Sequence, residues 1–548
     1  MRFLKLQNLI VPAFASIFSI LAMTGIIFSQ TQNRSASAVS ASNQYSEIVK
    51  LIENKQFERA AANLKQILEK SPRDFNARTL LGIVYGETNQ FAAAEKEYRT
   101  ALQINPGFVT ALSNLGILLA RVGKTDEAVG KLEQVLRLQS DNIGAGYNLA
   151  MIYAARGDFK SALPRLEKLA GITKTNKTPK SKDLTVLFAL VKSYAALKKT
   201  VELGVTIDYV ETLGGDDARV AFTLGLTLAQ AGEYERAAQL FEKVNAARPN
   251  TLEVLYNLGV AFYNVNRLDA ARAALQQVVA LNPNSPEAFY RLGLIASAKT
   301  EVENALGLWL KALELKPEYA EVNFLIGEEL RKQKKYATAV PFYEKAAAQN
   351  AENPLYQLRL GVAYFRLKRY APASAIFERM LEKYPNDFNF NYLSGFVARN
   401  QGLYDKATAA FEKADKISPD KPDVLSSLGF IAFQRGEIAK AEQLLRRTLQ
   451  LDPKNFSAHY DLGRLLVGQR KYAEAETILE RGAELNRSDP STRYQLFLVY
   501  SRSKQKEKAE KALADFKRLE AEFNRGANAG NSSEQNQTLP DKLENLKP

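Results

Sequence analysis

The chain has 548 residues, 46% of them hydrophobic and 24% charged, with a formal net charge of +14, no cysteine and a single histidine, His459. The lack of cysteine excludes disulfides, thiol catalysis, cysteine metal sites and a lipid-modified cysteine anchor, and one histidine leaves little for acid–base or metal chemistry. Lysines and arginines alternate with acids along the chain, the pattern of a solvated surface, so no nucleic-acid partner, metal or cofactor is expected.

Residues 1–40 differ from the rest. Arg2 and Lys5 precede an uncharged, mostly apolar run from Leu6 to Ser29, and Ala36-Ser37-Ala38 opens a Ser/Ala/Asn-rich spacer. This is the layout of a secretory signal peptide cut after Ala38. The apolar run is also long enough to span a bilayer, so an uncleaved anchor over residues 6–29, tying the chain to the membrane, is the alternative. Both readings export the remainder of the chain, because the positive charges stay on the cytoplasmic side. The expected location is the periplasm or cell envelope of a bacterium.

From residue 41 a 34-residue period sets in. Blocks 41–74, 75–108, 109–142 and 143–176 form a first array, with Ala60, Ala94, Ala128 and Ala162 at one fixed place. Residues 177–183 are an insertion within the lysine-rich stretch Gly171–Asp183 and read as an exposed loop. Block 184–217 carries the bulky Val191 and Leu203 where its neighbours have small residues. It is expected to interrupt the array or act as a hinge.

From 218 to 489 the period is clearest. Glycine returns at Gly225, Gly259, Gly293, Gly327, Gly361, Gly395, Gly429 and Gly463, and alanine twelve residues behind each, from Ala237 to Ala475. Block 490–523 has Phe497 in place of glycine and a highly charged second half, as a solvent-facing cap requires. Residues 524–548, rich in Asn, Ser, Gln and Gly, read as a disordered tail.

With the glycine set at position 8 of each block, 252–285 illustrates the local structure. Leu255, Leu258 and Phe262 follow the three- and four-residue steps of one helix, and Ala271, Leu275 and Val278 those of a second. Between them Asn266, at position 15, can end the first helix in a left-handed residue, and Pro283 stops the second. Glycine inside a helix costs roughly 1 kcal/mol relative to alanine. The small pair at positions 8 and 20 is therefore expected to let the paired helices touch backbone to backbone.

Leu-Gly at 7–8, an aromatic or aliphatic residue at 11, Ala at 20, a large residue at 24, Ala or Val at 27 and Pro at 32 resemble the tetratricopeptide repeat. The resemblance implies an all-α fold, a right-handed α-α superhelix of about 14 helix-turn-helix repeats. It also implies that first helices line a concave groove through positions 2, 5, 6, 9, 12 and 13. Position 5 is largely aromatic, with Tyr256, Tyr290 and Phe324 in consecutive repeats, and position 6 holds Asn114, Asn148 and Asn257, then Arg291 and Arg359. These eight are the candidate peptide-groove residues. An amide offers a donor and an acceptor to a peptide unit whatever its sequence; for the aromatic column, packing between neighbouring repeats is the alternative. The carboxylate clamp of chaperone-binding relatives is not expected, because Phe222, Leu226 and Glu287 occupy places that need Lys, Asn and Lys.

Outside the repeats lie only 1–40, 177–183 and 524–548, too little in any one place for a catalytic domain. The chain therefore reads as a non-enzymatic scaffold for protein or peptide partners. The alternatives are a structural component of polysaccharide export, secretion or pilus assembly, and the repeat arm of a glycosyltransferase system.

Overall fold

A computed structural model describes residues 36–526. Among them every regular element is an α-helix, and the helices pair off from Ala36–Glu53 with Phe57–Lys70 to Pro490–Arg502 with Lys506–Gly526. They fall into two compact units, divided between Leu281 and Asn282. Within each unit the hairpins stack side by side, the all-α solenoid arrangement that the 34-residue period predicts. The division lies inside the long second array and not at the degenerate block 184–217, where Val191 and Leu203 are both buried. The run Leu6–Ser29, and almost all of the 524–548 tail, lie outside the described residues. The last helix does continue past 523 to Gly526. Among the described residues no helix is long and apolar enough to cross a membrane.

The backbone turns as the spacing predicts, and more uniformly. Position 15 is left-handed in repeat after repeat, at Gly123, Gly157, Gly232, Gly402 and Gly436, but also at Lys55, Asn89, Lys198, Asn266, Thr300, Lys334, Lys368, Arg470 and Lys504. The hydrogen bonds explain why. Thr300 N–H donates to Ser297 O (3.0 Å) and Glu301 N–H to Ala296 O (2.9 Å), satisfying carbonyls that the helix end leaves orphaned. That geometry requires Thr300 itself to be left-handed. A β-branched side chain is the costliest occupant, so Thr300→Gly, at φ 62°, is expected to stabilise the protein by about 0.5–1 kcal/mol in denaturant titration.

A second recurring device is invisible to hydrophobic periodicity. Position 34 caps the next first helix: Asp74, Asn142, Asp217, Asn353, Asp387, Asn455 and Asp489 each accept from backbone N–H groups one turn ahead. A third device ties repeats to one another. The position-11 tyrosine donates to the position-25 glutamate of the repeat before, as Tyr153 to Glu133 (3.0 Å), Tyr500 to Glu480 (2.8 Å) and Tyr364 to Glu344.

The position-20 alanines, from Ala60 to Ala475, are completely buried. At the position-8 glycines the first neighbour is a side chain and not, as expected, the backbone of the paired helix, although at Gly116 the Ala128 carbonyl O also lies 3.5 Å from the place of a Cβ. A Cβ placed on any of them would lie under 3.0 Å from the large side chain at position 24 of the same repeat: Tyr98 for Gly82, Leu132 for Gly116, Leu275 for Gly259, Tyr343 for Gly327. The glycine makes room for a core side chain, and the volume trade is reciprocal. Where position 8 is larger, at Ile48, Ala150 and Val191, position 24 holds Leu64, Leu166 and Ile207 and never an aromatic ring. Each repeat thus fills one pocket from two sides, as close packing of a core requires.

Candidate functional site: the inner face of the first helices

Successive first helices meet along one face, and contacts from positions 9 and 12 define it. In the second unit, Arg399 on Phe388–Asn400 lies 5.3 Å from the ring centroid of Phe430 on Pro422–Gln434. One repeat on, Arg464 on Phe456–Gly468 lies 5.3 Å from that of Phe433.

In the first unit the inner face carries amide residues among larger ones such as Tyr147, Phe222 and Lys192. Asn114, Asn148 and Asn257 are all half-buried, and each donates one amide N–H to its own helix, to Thr110 O (2.9 Å), Gly144 O (2.8 Å) and Glu253 O (2.8 Å). Tyr256, beside Asn257, is half-buried. Lys192 lies at position 9 of its repeat, and burial lowers the pKa of its ammonium group.

In the second unit the remaining candidates sit deeper. Tyr290 is 5% exposed, with its ring 5.4 Å from that of Tyr319, and Arg291 lies over Tyr290 at 5.4 Å. Phe324 stacks on Tyr356 of the following repeat at 4.7 Å. Arg359 is buried, with Nε 3.2 Å from Glu328 Oε1. The same carboxylate takes Arg331 Nε at 3.1 Å and accepts from the Tyr343 hydroxyl at 2.6 Å. The structure thus groups Arg359 with Glu328, Arg331 and Tyr343, stacks Phe324 on the next repeat and sets Tyr290 against Tyr319 of its own.

Sequence reasoning passes over a further charged group farther along the second unit. Asp461 is buried and makes no hydrogen bond among the described residues; its nearest cation is Arg464, at 3.9 Å. Burial pushes its carboxyl up to about 6, against the pull of Arg464 and Arg399. Burial likewise draws the Arg399 guanidinium below its ordinary value, against Asp461, Tyr392 and Tyr404. The signal in the sequence is the charge of Arg464 at position 9 and Arg399 at position 12, where most repeats carry aliphatic, aromatic or small residues; Asp461 lies at position 6.

The sign of the Asp461 shift gives a stability prediction. A carboxyl raised in the folded state binds its proton more tightly than in the unfolded chain, so its contribution is full below its unfolded pKa and lost as pH rises through about 6. Asp461→Asn, which cannot ionise, is expected to be more stable than wild type at pH 7.5 by about 1–3 kcal/mol. The two should converge near pH 4. Equal midpoints at both pH values would show that the buried carboxylate carries no ionisation cost.

Among the described residues no three His, Cys, Asp or Glu side chains are placed to share a metal ion. Comparison with known families matches this chain to models described as tetratricopeptide repeat. One covers residues 51–115, 228–294, 330–394, 398–449 and 432–498, a second 111–142 and 147–180, and a third 369–422. No curated protein matches. Among solved structures, the chain is similar to YrrB, a TPR protein with an unusual peptide-binding site, at 23% identity over 34% of this chain and 96% of that one, TM-score 0.32. It is similar to the APC/C heterotetramer Cut9–Hcn1 at 13% identity, over 82% and 95% of the two chains, TM-score 0.34. It is also similar to yeast Tom70 at 16% identity, over 86% and 97%, TM-score 0.31.

Proposed function

The chain belongs to the tetratricopeptide repeat family, and from that premise we propose that it is an exported, non-enzymatic scaffold that holds extended segments of partner proteins along the inner face of its first helices. At the coarser level, the repeat array is a protein–protein interaction scaffold. The observation that carries the peptide reading is the state of Asn114, Asn148 and Asn257. Each spends one N–H on its own helix. A second N–H and the amide oxygen remain, the pair that a peptide unit requires.

The test is a pair of substitutions read against an isolated partner. Asn257→Ala is expected to weaken binding about tenfold, the cost of leaving a partner group unsatisfied, with no change in melting temperature. Tyr256→Ala serves as the contrast. Were the face purely structural, Tyr256→Ala would lower stability and Asn257→Ala would leave affinity untouched.

Export rests on Arg2 and Lys5 ahead of the uncharged run Leu6–Ser29. Protease added to intact spheroplasts is expected to digest the repeats. Protection until lysis would place them in the cytoplasm and refute export. A mature amino terminus at Val39 distinguishes a cleaved signal from an anchor.

A further inference from the structure

The arginines of the second unit's inner face are held in place without being satisfied. A guanidinium carries five N–H donors. Among the described residues Arg399 uses one, a 3.4 Å bond from Nη1 to Ser427 Oγ, and no carboxylate lies within ion-pair distance of it. Arg464 makes no hydrogen bond among them, and its one ion pair there is the 3.9 Å contact to Asp461. What fixes both side chains is ring faces. Arg399 lies 4.5 Å from the Phe396 ring centroid and 5.3 Å from Phe430, and Arg464 lies 5.3 Å from Phe433 and 5.4 Å from Tyr460. Stacking holds the plane of a guanidinium and leaves its N–H edge unspent. Beside them the buried Tyr392 hydroxyl also has no hydrogen-bond partner among the described residues. The deficit around the two arginines is one of acceptors.

The charge agrees. Asp461 is the one carboxylate within 4.0 Å of either guanidinium among the described residues, and both arginines are half-buried, so a carboxylate ligand would meet two partly desolvated cations. Ordering costs are low because the rings already hold the side chains. Asp461 narrows the ligand class further. It repels a uniform polyanion such as nucleic acid, and it offers an acceptor that a peptide N–H can use. Resting on the peptide-binding reading above, we propose that Arg399 and Arg464 form a subsite for an acidic side chain, Asp or Glu, of an extended partner segment, with Asp461 accepting from that segment's backbone. The site uses Arg399 at position 12, Arg464 at position 9 and Asp461 at position 6 of their first helices, in repeats other than those of Phe222, Leu226 and Glu287.

The test uses the full chain and fluorescence anisotropy with a labelled peptide of alternating Glu and Ala, a matched Gln/Ala peptide, polyuridylate and alginate. The Glu/Ala peptide is expected to bind at least about tenfold more tightly than the Gln/Ala peptide. Arg464→Gln, on a partly exposed side chain, and Arg399→Lys, which keeps the charge and loses the fork, should each weaken it about tenfold at unchanged melting temperature. Lys406→Gln on an exposed second-helix position should have no effect. Equal binding of the two peptides overturns the acidic subsite and leaves the general groove standing. Binding of the acidic peptide that ignores both arginine variants overturns the location. Tighter, arginine-dependent binding of polyuridylate or alginate overturns the ligand class, and no peptide binding at all overturns the proposal outright.

Discussion

Gly293→Leu is expected to cost about 3 kcal/mol or more and to be among the most damaging single substitutions in the chain. A Cβ at Gly293 would fall on Trp309 Nε1 and Cδ1, well inside contact distance. The indole is buried and its Nε1 donates to Tyr290 O at 3.2 Å, so it cannot swing aside without abandoning a hydrogen bond in a dry environment. Even Gly293→Ala, which gains roughly 1 kcal/mol of helix propensity, should lose stability on balance, because a ring does not bend. The double variant Gly293→Ala/Trp309→Leu recreates the combination of Ala150 with Leu166 found in the first array. It is expected to recover much of the loss, a coupling that a double-mutant cycle measures directly. An unchanged unfolding midpoint for Gly293→Leu would contradict the volume-exchange account of position 8.

Glu328→Leu is expected to cost about 3 kcal/mol. One carboxylate accepts from two donors, the Tyr343 hydroxyl at 2.6 Å and Arg331 Nε at 3.1 Å, and forms an ion pair with Arg359, whose Nε lies 3.2 Å away. Arg359 is only 7% exposed, so removing Glu328 strands a positive charge away from water. Glu328→Gln keeps an oxygen for Tyr343 and should be milder. Replacing the ion pair as a whole, in Glu328→Leu/Arg359→Leu, should restore most of the stability, since apolar packing of similar volume substitutes well for a buried pair. Additive losses in the double variant would show that the two side chains act independently.

The period makes the architecture legible from the sequence, because each place in the repeat is sampled many times. Ala271 or Pro283 alone says little, but their recurrence in register places helix pairs and turns. The role of Gly259 is less legible. A glycine and an alanine twelve apart suggest two backbones in contact, and nothing local reveals that Leu275, sixteen residues on, fills the space instead. The caps at Asp74 and Asp387 are hard to read because a polar residue after a helix-ending proline looks like ordinary turn chemistry. At the inner face, Asn114, Asn148 and Asn257 are visible as amides on a helix, although the bond each makes to its own backbone is not. Arg399 and Asp461 belong to first helices two repeats apart. In sequence they look like solvated charges, and only the stacking of the intervening helix brings them to the same face.

The central claim, that partner segments lie along the inner face of the first helices, is tested most directly by site-specific photo-cross-linking in the producing cells. A benzophenone amino acid is placed at position 256 on the inner face, or at Gln276 on the exposed side of the neighbouring second helix, with adducts identified by mass spectrometry. The account predicts a discrete polypeptide adduct from position 256, lost when Asn257→Ala is combined with it, and none from position 276. Adducts from position 276 alone, or adducts at 256 that ignore Asn257→Ala, would contradict it.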